Sequence, residues 1–145
     1  MKKIFFLALF TLIAVSKISA QTTTAEGIKN KKYKIVFQLT SGDTLVQKAL
    51  VRQIGNVLIA APKSKIEVVC HSNGITFLQT SKTLLANQII ELKAKGVVFA
   101  ACENTLRERK IDKKEIVSEA VFVPVGILEV VDKEISGWAY LKAGF

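Results

Sequence analysis

The segment that decides the fold is VVFAACENTLRER, at residues 97–109. Its first five residues are apolar and mostly β-branched or small, which is typical of a buried strand. Asn104 and Thr105 favour the start of a helix, because short polar side chains can cap a first turn. Cys102 therefore lies where a predicted strand ends and a predicted helix begins.

The position of Cys102 has chemical consequences. In an open parallel sheet, ligands bind beyond the carboxyl ends of the strands, where the next helix offers unpaired N–H groups and a partial positive charge. A thiol in that place tends toward the thiolate, although Glu103 opposes ionisation while Arg107 and Arg109 favour it. Position alone leaves two interpretations open: a reactive thiol exposed at the sheet edge, or a small apolar residue that fills the core.

Strand and helix patterns alternate along the rest of the chain. Apolar, β-rich runs predict four more strands, at residues 33–40, 65–71, 120–123 and 138–142. Helical spacing of apolar residues predicts three more helices, at residues 44–61, 81–95 and 125–136. This alternation predicts a single three-layer α/β/α domain with a mainly parallel sheet of about five strands.

Two of the predicted helices carry apolar stripes that we assign to the core. In the helix at residues 81–95, the residues expected to face inward are Leu84, Leu85, Ile89 and Leu92. In the last helix, the residues expected to face inward are Ile127, Leu128, Val131 and Ile135.

The N-terminus has the three parts of a secretory signal peptide. Lys2 and Lys3 precede an apolar run at residues 4–15, and a group of small and polar residues that ends at Ala20 follows. The apolar run is too short to cross a bilayer as an ordinary transmembrane helix. Cleavage after Ala20 would give a periplasmic or secreted protein without stable membrane insertion.

Three regions are therefore expected along the chain. Residues 1–20 form the predicted signal peptide, residues 21–32 a flexible polar arm, and residues 33–145 one α/β domain. No internal repeat or linker divides the domain.

The chain is basic, with a net charge of +9 over 145 residues. Lysines cluster before the first predicted strand and after the cysteine-bearing helix, namely Lys29, Lys31, Lys32, Lys34, Lys110, Lys113 and Lys114. Few aromatic residues lie among them, so we interpret these clusters as solvated surface, and we expect no nucleic-acid partner.

The predicted sheet gathers polar side chains at its carboxyl edge. Ser41 and Asp43 follow the first strand, His71 follows the second and Cys102 follows the third. The Ser41 to Asp43 turn could cap the next helix or bind an anion, and His71 would lie at the edge of the pocket. The sequence has no nucleotide-binding glycine motif, catalytic-triad order or CxxC pair, which argues against a conventional hydrolase or dehydrogenase.

Metal binding and disulfide formation depend on where the two cysteines point. Cys70 and His71 are neighbours on a strand, so their side chains face opposite sides of the sheet. His71 and Cys102 together lack further ligands of obvious identity, and we expect neither a metal nor a cofactor. A disulfide between Cys70 and Cys102 stays open, because adjacent strands would permit it and an intervening strand would not.

The chain resembles the DsrE/DsrF-like sulfur-relay family over nearly all of residues 33–142. Residues 97–110 are similar to that family's apolar strand, cysteine, short helix and arginines. Residues 120–126 and 137–140 are similar to its proline-glycine turn and its terminal Gly-aromatic-Ala-Tyr strand. The stretch at 66–78 resembles the family's Val-Val-X-His-Gly segment, although here two residues separate the histidine from the glycine.

The resemblance implies that Cys102 accepts sulfane sulfur as a persulfide and passes it to a partner, as a carrier or transferase. In this hypothesis the helix N-terminus stabilises the anionic sulfur, Asn104 and Thr105 donate hydrogen bonds to it, and His71 lines the entrance. The alternative is a non-catalytic domain that binds a small ligand or a protein at this edge, with Cys102 as a structural residue.

Self-association is also expected. The family that the chain resembles commonly forms trimers or hexamers, and Trp138, Tyr140 and Phe145 place large aromatic side chains near a sheet edge and the terminus. We therefore expect a homo-oligomer (a trimer or hexamer) that interacts with a sulfur donor or acceptor protein.

Overall fold

The structure, a computed structural model, describes residues 25–144, so the expected signal peptide and Phe145 lie outside the described residues. Within this range the strands are β1 (Lys34–Leu39), β2 (Lys65–Cys70), β3 (Val98–Cys102), β4 (Ala120–Val123) and β5 (Ala139–Lys142). The α-helices are α1 (Ala25–Lys29), α2 (Thr44–Ala60), α3 (Ala86–Ala94), α4 (Glu103–Arg109) and α5 (Gly126–Ile135). Short 3₁₀ helices occupy Ser72–Phe77 and Lys113–Glu115.

The five strands form one sheet in the order β4-β3-β2-β1-β5, and every pair of neighbouring strands is parallel. The predicted α/β class and the five-stranded parallel sheet are therefore confirmed. Strands β2, β3 and β4 are added successively on one side of β1, whereas β5 is added on its other side. The chain thus reverses its direction of travel across the sheet after β4.

One face of the sheet, here called the three-helix face, holds the larger core. Every second residue of a strand points toward this face. Helices α2, α3 and α4 pack against these residues through Leu50, Ile89 and Leu106. These three residues are at most 3% exposed. Because right-handed crossovers in one direction place their helices on the same side of a sheet, all three helices lie on this face.

The opposite face, here called the single-helix face, is covered by α5 alone among the helices that the structure describes. Its small core joins Val36, Val69, Ala100 and Val123 of the strands to Val130 of α5. The reversal after β4 requires a crossover on this side of the sheet, and α5 is that crossover.

A buried ion pair fixes α5 to the sheet. Glu67 of β2 is 3% exposed and forms an ion pair with Lys133, whose Nζ lies 2.5 Å from Glu67 Oε2. The same Nζ lies 3.3 Å from Glu129 Oε1. Burial raises the pKa of Glu67, and the nearby ammonium only partly opposes that rise. Desolvation lowers the pKa of Lys133, but the two carboxylates outweigh it and raise the pKa overall.

The orientation predicted for the last helix is wrong. Its expected inner residues are exposed by 40% to 80%, namely Ile127, Leu128, Val131 and Ile135. Instead α5 contacts the sheet along a line through Gly126, Val130 and Lys133, because that line brings the lysine to Glu67. The helix therefore buries a narrow stripe and leaves a broad apolar stripe in solvent.

The predicted start of α3 is also wrong. The helix begins at Ala86 rather than near residue 81, and Leu84 is 74% exposed. Local turns replace the first helical turns, because the backbone N–H groups of Lys82 and Thr83 both donate to the Gln79 carbonyl oxygen. Gln79 also forms an antiparallel bridge with Ile116, which holds this segment away from a helical path.

The N-terminal boundary differs in one detail from expectation. The arm expected at residues 21–32 contains the short helix α1, which ends at Lys29. Among residues 25–144, no helix has both the length and the hydrophobicity needed to cross a bilayer.

A pair of glycine substitutions tests how closely the first 3₁₀ helix packs on β1. A Cβ atom at Gly74 would lie 2.0 Å from the backbone oxygen of Leu39. Gly74→Ala should lower the free energy of unfolding by about 3 kcal/mol, because backbone cannot yield as a side chain can. Urea denaturation of the reduced protein measures the change.

Gly55→Ala is the matched control. Nothing lies within 4 Å of a Cβ at Gly55, which is inside helix α2. This substitution should raise the free energy of unfolding by about 0.5–1 kcal/mol. Equal effects of the two substitutions would contradict the close packing at Gly74.

Candidate functional site

The candidate site lies at the ends of two neighbouring strands, after which the chain continues to opposite faces of the sheet. After β3 the chain enters α4 on the three-helix face, and after β4 it enters α5 on the single-helix face. The connections therefore diverge beyond the carboxyl ends of β3 and β4, which is where ligands bind in open α/β sheets. Cys102, the last residue of β3, lies at this point of divergence.

The Cys102 sulfur accepts hydrogen bonds from the starts of both helices. The backbone N–H of Thr105 in α4 donates to Sγ at 3.5 Å, and the backbone N–H of Gly126 in α5 donates at 3.2 Å. The Thr105 side chain also favours the thiolate form of Cys102 and lowers its pKa. Cys102 thus serves as the N-cap of α4 and at the same time contacts the first residue of α5.

These contacts favour the thiolate. Burial raises the pKa of Cys102, but the nearby Thr105 side chain and the backbone N–H groups of Thr105, Gly126 and Asn104 outweigh it. The net effect lowers the pKa of the thiol below its ordinary value. The site therefore supports an anionic sulfur atom.

Cys102 is not exposed at the edge of the sheet. The residue is only 4% exposed, because the first turn of α5 lies directly over it. A Cβ atom at Gly126 would lie 3.1 Å from Cys102 Cβ and 3.2 Å from His71 Cβ. A side chain at this position would require Cys102 or His71 to shift by a few tenths of an ångström.

His71 lies on the same face of the sheet as Cys102 and is part of a polar chain. Its Nε2 atom is 2.9 Å from Gln38 Nε2, and Gln38 Oε1 accepts the Tyr140 hydroxyl at 2.6 Å. Because an amide nitrogen only donates, the imidazole Nε2 accepts, so the ring proton is on Nδ1, 3.2 Å from Ser72 Oγ. Burial lowers the pKa of His71, which keeps the imidazole neutral at neutral pH.

Thr105 connects the sulfur to the loop that follows β2. Its Oγ1 atom accepts the backbone N–H of Ser72 at 3.1 Å, and the same side chain lowers the pKa of Cys102. Thr105 is 4% exposed, so this arrangement is shielded from water. The backbone around His71 is thereby held next to the first turn of α4.

The other predicted site residues lie elsewhere. The Asn104 side chain points away from the sulfur, donating to Glu108 and accepting from Arg107. Asp43 caps α2 by accepting the backbone N–H of Leu45 at 2.7 Å, and Ser41 accepts the backbone N–H of Asp43. The Ser41 to Asp43 turn is therefore a helix cap.

Sequence reasoning missed Gly126, Gln38 and Tyr140 as members of the site. The available signal for Gly126 was its place in a proline-glycine turn directly after a strand. No sequence pattern indicated Gln38 and Tyr140. Their contact depends on the pairing of β5 with β1, which joins residues far apart in the chain.

The two cysteines lie on adjacent strands but on opposite faces. Cys70 pairs in register with Ala101, and its side chain belongs to the core of the three-helix face, whereas Cys102 faces α5. Both thiols are free. Complete burial in an apolar core strongly raises the pKa of Cys70, so this thiol is inert by comparison.

Metal ligands do not gather at this edge. Within the described range no group of three or more His, Cys, Asp and Glu side chains is arranged to hold a metal ion. His71 is engaged with Gln38 and Ser72 instead.

The role of the Thr105 hydroxyl can be tested by the pH dependence of alkylation. Thr105→Val should move the midpoint of the Cys102 alkylation rate to higher pH, because one donor to the thiolate is lost. Thr105→Ser keeps the hydroxyl and should leave the midpoint close to that of the wild type. Iodoacetamide kinetics in the Cys70→Ser background, with circular dichroism to verify folding, make the measurement. An unchanged midpoint in Thr105→Val would contradict the assignment.

Comparisons with known proteins identify the family and the fold. The family model described as DsrE/DsrF-like family matches residues 31–143. A solved structure of a protein of unknown function, MTH1491 from Methanobacterium thermoautotrophicum, matches with a TM-score of 0.73 and 29% sequence identity, covering 77% of this chain and 99% of that one. A search of curated proteins found no match. The chain belongs to the DsrE/DsrF-like family and has the general fold of its sulfur-relay proteins.

Proposed function

We propose that this protein is a sulfur carrier in which Cys102 accepts sulfane sulfur as a persulfide and passes it to a partner. The observation that carries the proposal is the convergence of donors from two helices on one sulfur atom. The backbone N–H groups of Thr105 and Gly126 donate to Sγ from the starts of α4 and α5. Such donors stabilise negative charge on sulfur, which both the attacking thiolate and the resulting persulfide anion carry.

The proposed loading step is a displacement at sulfur. The Cys102 thiolate attacks a sulfane sulfur atom of the donor, a new S–S bond forms, and the S–S bond within the donor breaks. With tetrasulfide as donor, the leaving group is trisulfide and Cys102 becomes a persulfide anion. Because Cys102 is only 4% exposed, loading requires a local displacement of the turn that precedes α5.

The proposed delivery step reverses the roles. A thiolate of the acceptor attacks the outer sulfur of the persulfide, and the Cys102 thiolate leaves. The donors from Thr105 and Gly126 stabilise this leaving thiolate as they stabilise the attacking one. The neutral His71 lines the site without adding a fixed charge.

Export forms part of the proposal. The charged, apolar and small-residue parts of residues 1–20 support secretion to the periplasm or beyond, so the sulfur donor and acceptor would be met there. N-terminal sequencing of the protein from its native host tests this, and chains that begin at Met1 would contradict it.

Mass spectrometry tests the carrier role. Reduced protein incubated with sodium tetrasulfide at near-neutral pH should gain about 32 Da, one sulfur atom. Cys102→Ser should abolish the gain, because it removes the attacking sulfur. Cys70→Ser is the matched control and should retain it, since Cys70 is fully buried.

The outcomes separate two functions. A gain that disappears only in Cys70→Ser would refute the choice of Cys102. No gain in the wild type, with a folded protein, would favour a binding domain in which Cys102 is structural.

We also propose that the protein forms a homo-oligomer through the single-helix face. The exposed stripe of α5 contains Leu128 and Ile135, at 57% and 80% exposed. On the same face of the sheet, Val121 of β4 and Tyr140 of the edge strand β5 are 41% and 37% exposed. Several exposed apolar side chains on one face of a protein are typical of protein interfaces.

Light scattering after size exclusion tests self-association. The wild type should form an oligomer at micromolar concentration, and Leu128→Glu should shift it toward the monomer by placing a charge in the interface. Ile59→Glu is the matched control, because Ile59 is 77% exposed but lies on α2, on the other side of the sheet. A monomeric wild type, or equal effects of both substitutions, would contradict the proposed interface.

A further inference from the structure

A cavity of about 390 Å³ lies beside α4, away from the Cys102 sulfur. It is lined by Glu103, Leu106, Arg107, Lys110, Ile111 and Lys113. The sulfur faces α5 on the single-helix face, whereas Leu106 of this cavity belongs to the core of the three-helix face. The cavity is therefore a second and separate feature of the same helix.

The cavity has an apolar floor. Leu106 is 3% exposed, and Ile111 packs partly buried against the same core. Its volume falls within the range of about 300–1,000 Å³ that small-molecule sites occupy. The floor favours a ligand that brings apolar surface of its own.

The rim of the cavity is mainly cationic. Arg107, Lys110 and Lys113 contribute three positive charges, and Glu103 contributes one negative charge. Lys113 is ion-paired with Glu103 and lies over the Phe122 ring at 4.8 Å. The Lys110 side chain has no hydrogen-bond or ion-pair partner among residues 25–144, which leaves its charge available to a ligand.

Arg107 supplies directional donors. One of its terminal nitrogens, Nη2, donates to Asn104 Oδ1 at 2.7 Å, which orients the guanidinium along the helix. A guanidinium has five N–H donors, so the others remain for a planar anionic group.

We propose that this cavity binds a small organic acid, with its anionic head between Arg107 and Lys110 and its apolar body over Leu106 and Ile111. The excess of positive charge favours an anionic ligand over a neutral one. The apolar floor favours a ligand with an organic body over an inorganic ion. This site is distinct from the sulfur-carrying role, because no contact with the Cys102 sulfur is needed.

An NMR titration with benzoate tests the proposal on the reduced full-length protein without a sulfane donor. The backbone amide signals of Leu106 and Ile111 should shift on benzoate addition. Benzamide, a neutral molecule of the same shape, should bind up to about fivefold more weakly, the scale of one exposed charge interaction. Inorganic sulfate should also bind more weakly than benzoate, because it has no apolar body to bury against Leu106 and Ile111.

Variants of α4 give the charge test. Arg107→Gln and Lys110→Asn should each weaken benzoate binding by about fivefold or less, whereas Glu103→Gln should strengthen it by removing the only carboxylate of the cavity. Arg109→Gln is the matched control, because Arg109 is on the same helix but donates to Asn73 instead.

The result that would overturn the proposal is equally specific. Equal weakening in Arg107→Gln and Arg109→Gln, equal binding of benzamide and benzoate, or shifts confined to other parts of the chain would each refute it.

Discussion

The reversal of the chain after β4 is the constraint on which the site depends. Three successive crossovers travel in one direction and bury the larger core, whereas the last travels back and places α5 on the other face. Only this arrangement brings the start of α5 over the end of β3. The sulfur of Cys102 then meets N–H groups from two helices that approach from opposite sides of the sheet. A sheet extended in one direction throughout would leave Cys102 with the donors of α4 alone.

The fold could be predicted because local patterns and global order agree. Buried parallel strands read as short apolar runs, and β3 with its following helix gave the strongest such pattern. Cys102 could be singled out on the same basis, since its position at a strand-to-helix junction is a local property. Thr105 as a donor also follows from local spacing, because the N-cap residue accepts from the third residue after it.

Other features could not be predicted, because they depend on long-range packing. The apolar stripe of α5 is wider than the face it buries, so periodicity alone assigned the wrong residues to the core. Its true orientation follows from Lys133 reaching Glu67, a buried carboxylate 66 positions earlier in the chain. The burial of Cys102 was missed for the same reason, since it depends on a glycine 24 residues away. Such contacts depend on how helices and strands pack against one another, and the residue pattern within a single helix or strand does not determine them.

The placement of the two thiols on opposite faces has a consequence for redox chemistry. Strand pairing brings Cys70 and Cys102 to neighbouring strands, but the sheet itself stands between their side chains. Cys102 therefore has no resolving thiol within its own chain, and oxidation cannot lock it into an internal disulfide. Any sulfur–sulfur bond that it forms joins it to another molecule. Such a bond is then broken by thiols of other molecules and not by a second cysteine of the same chain.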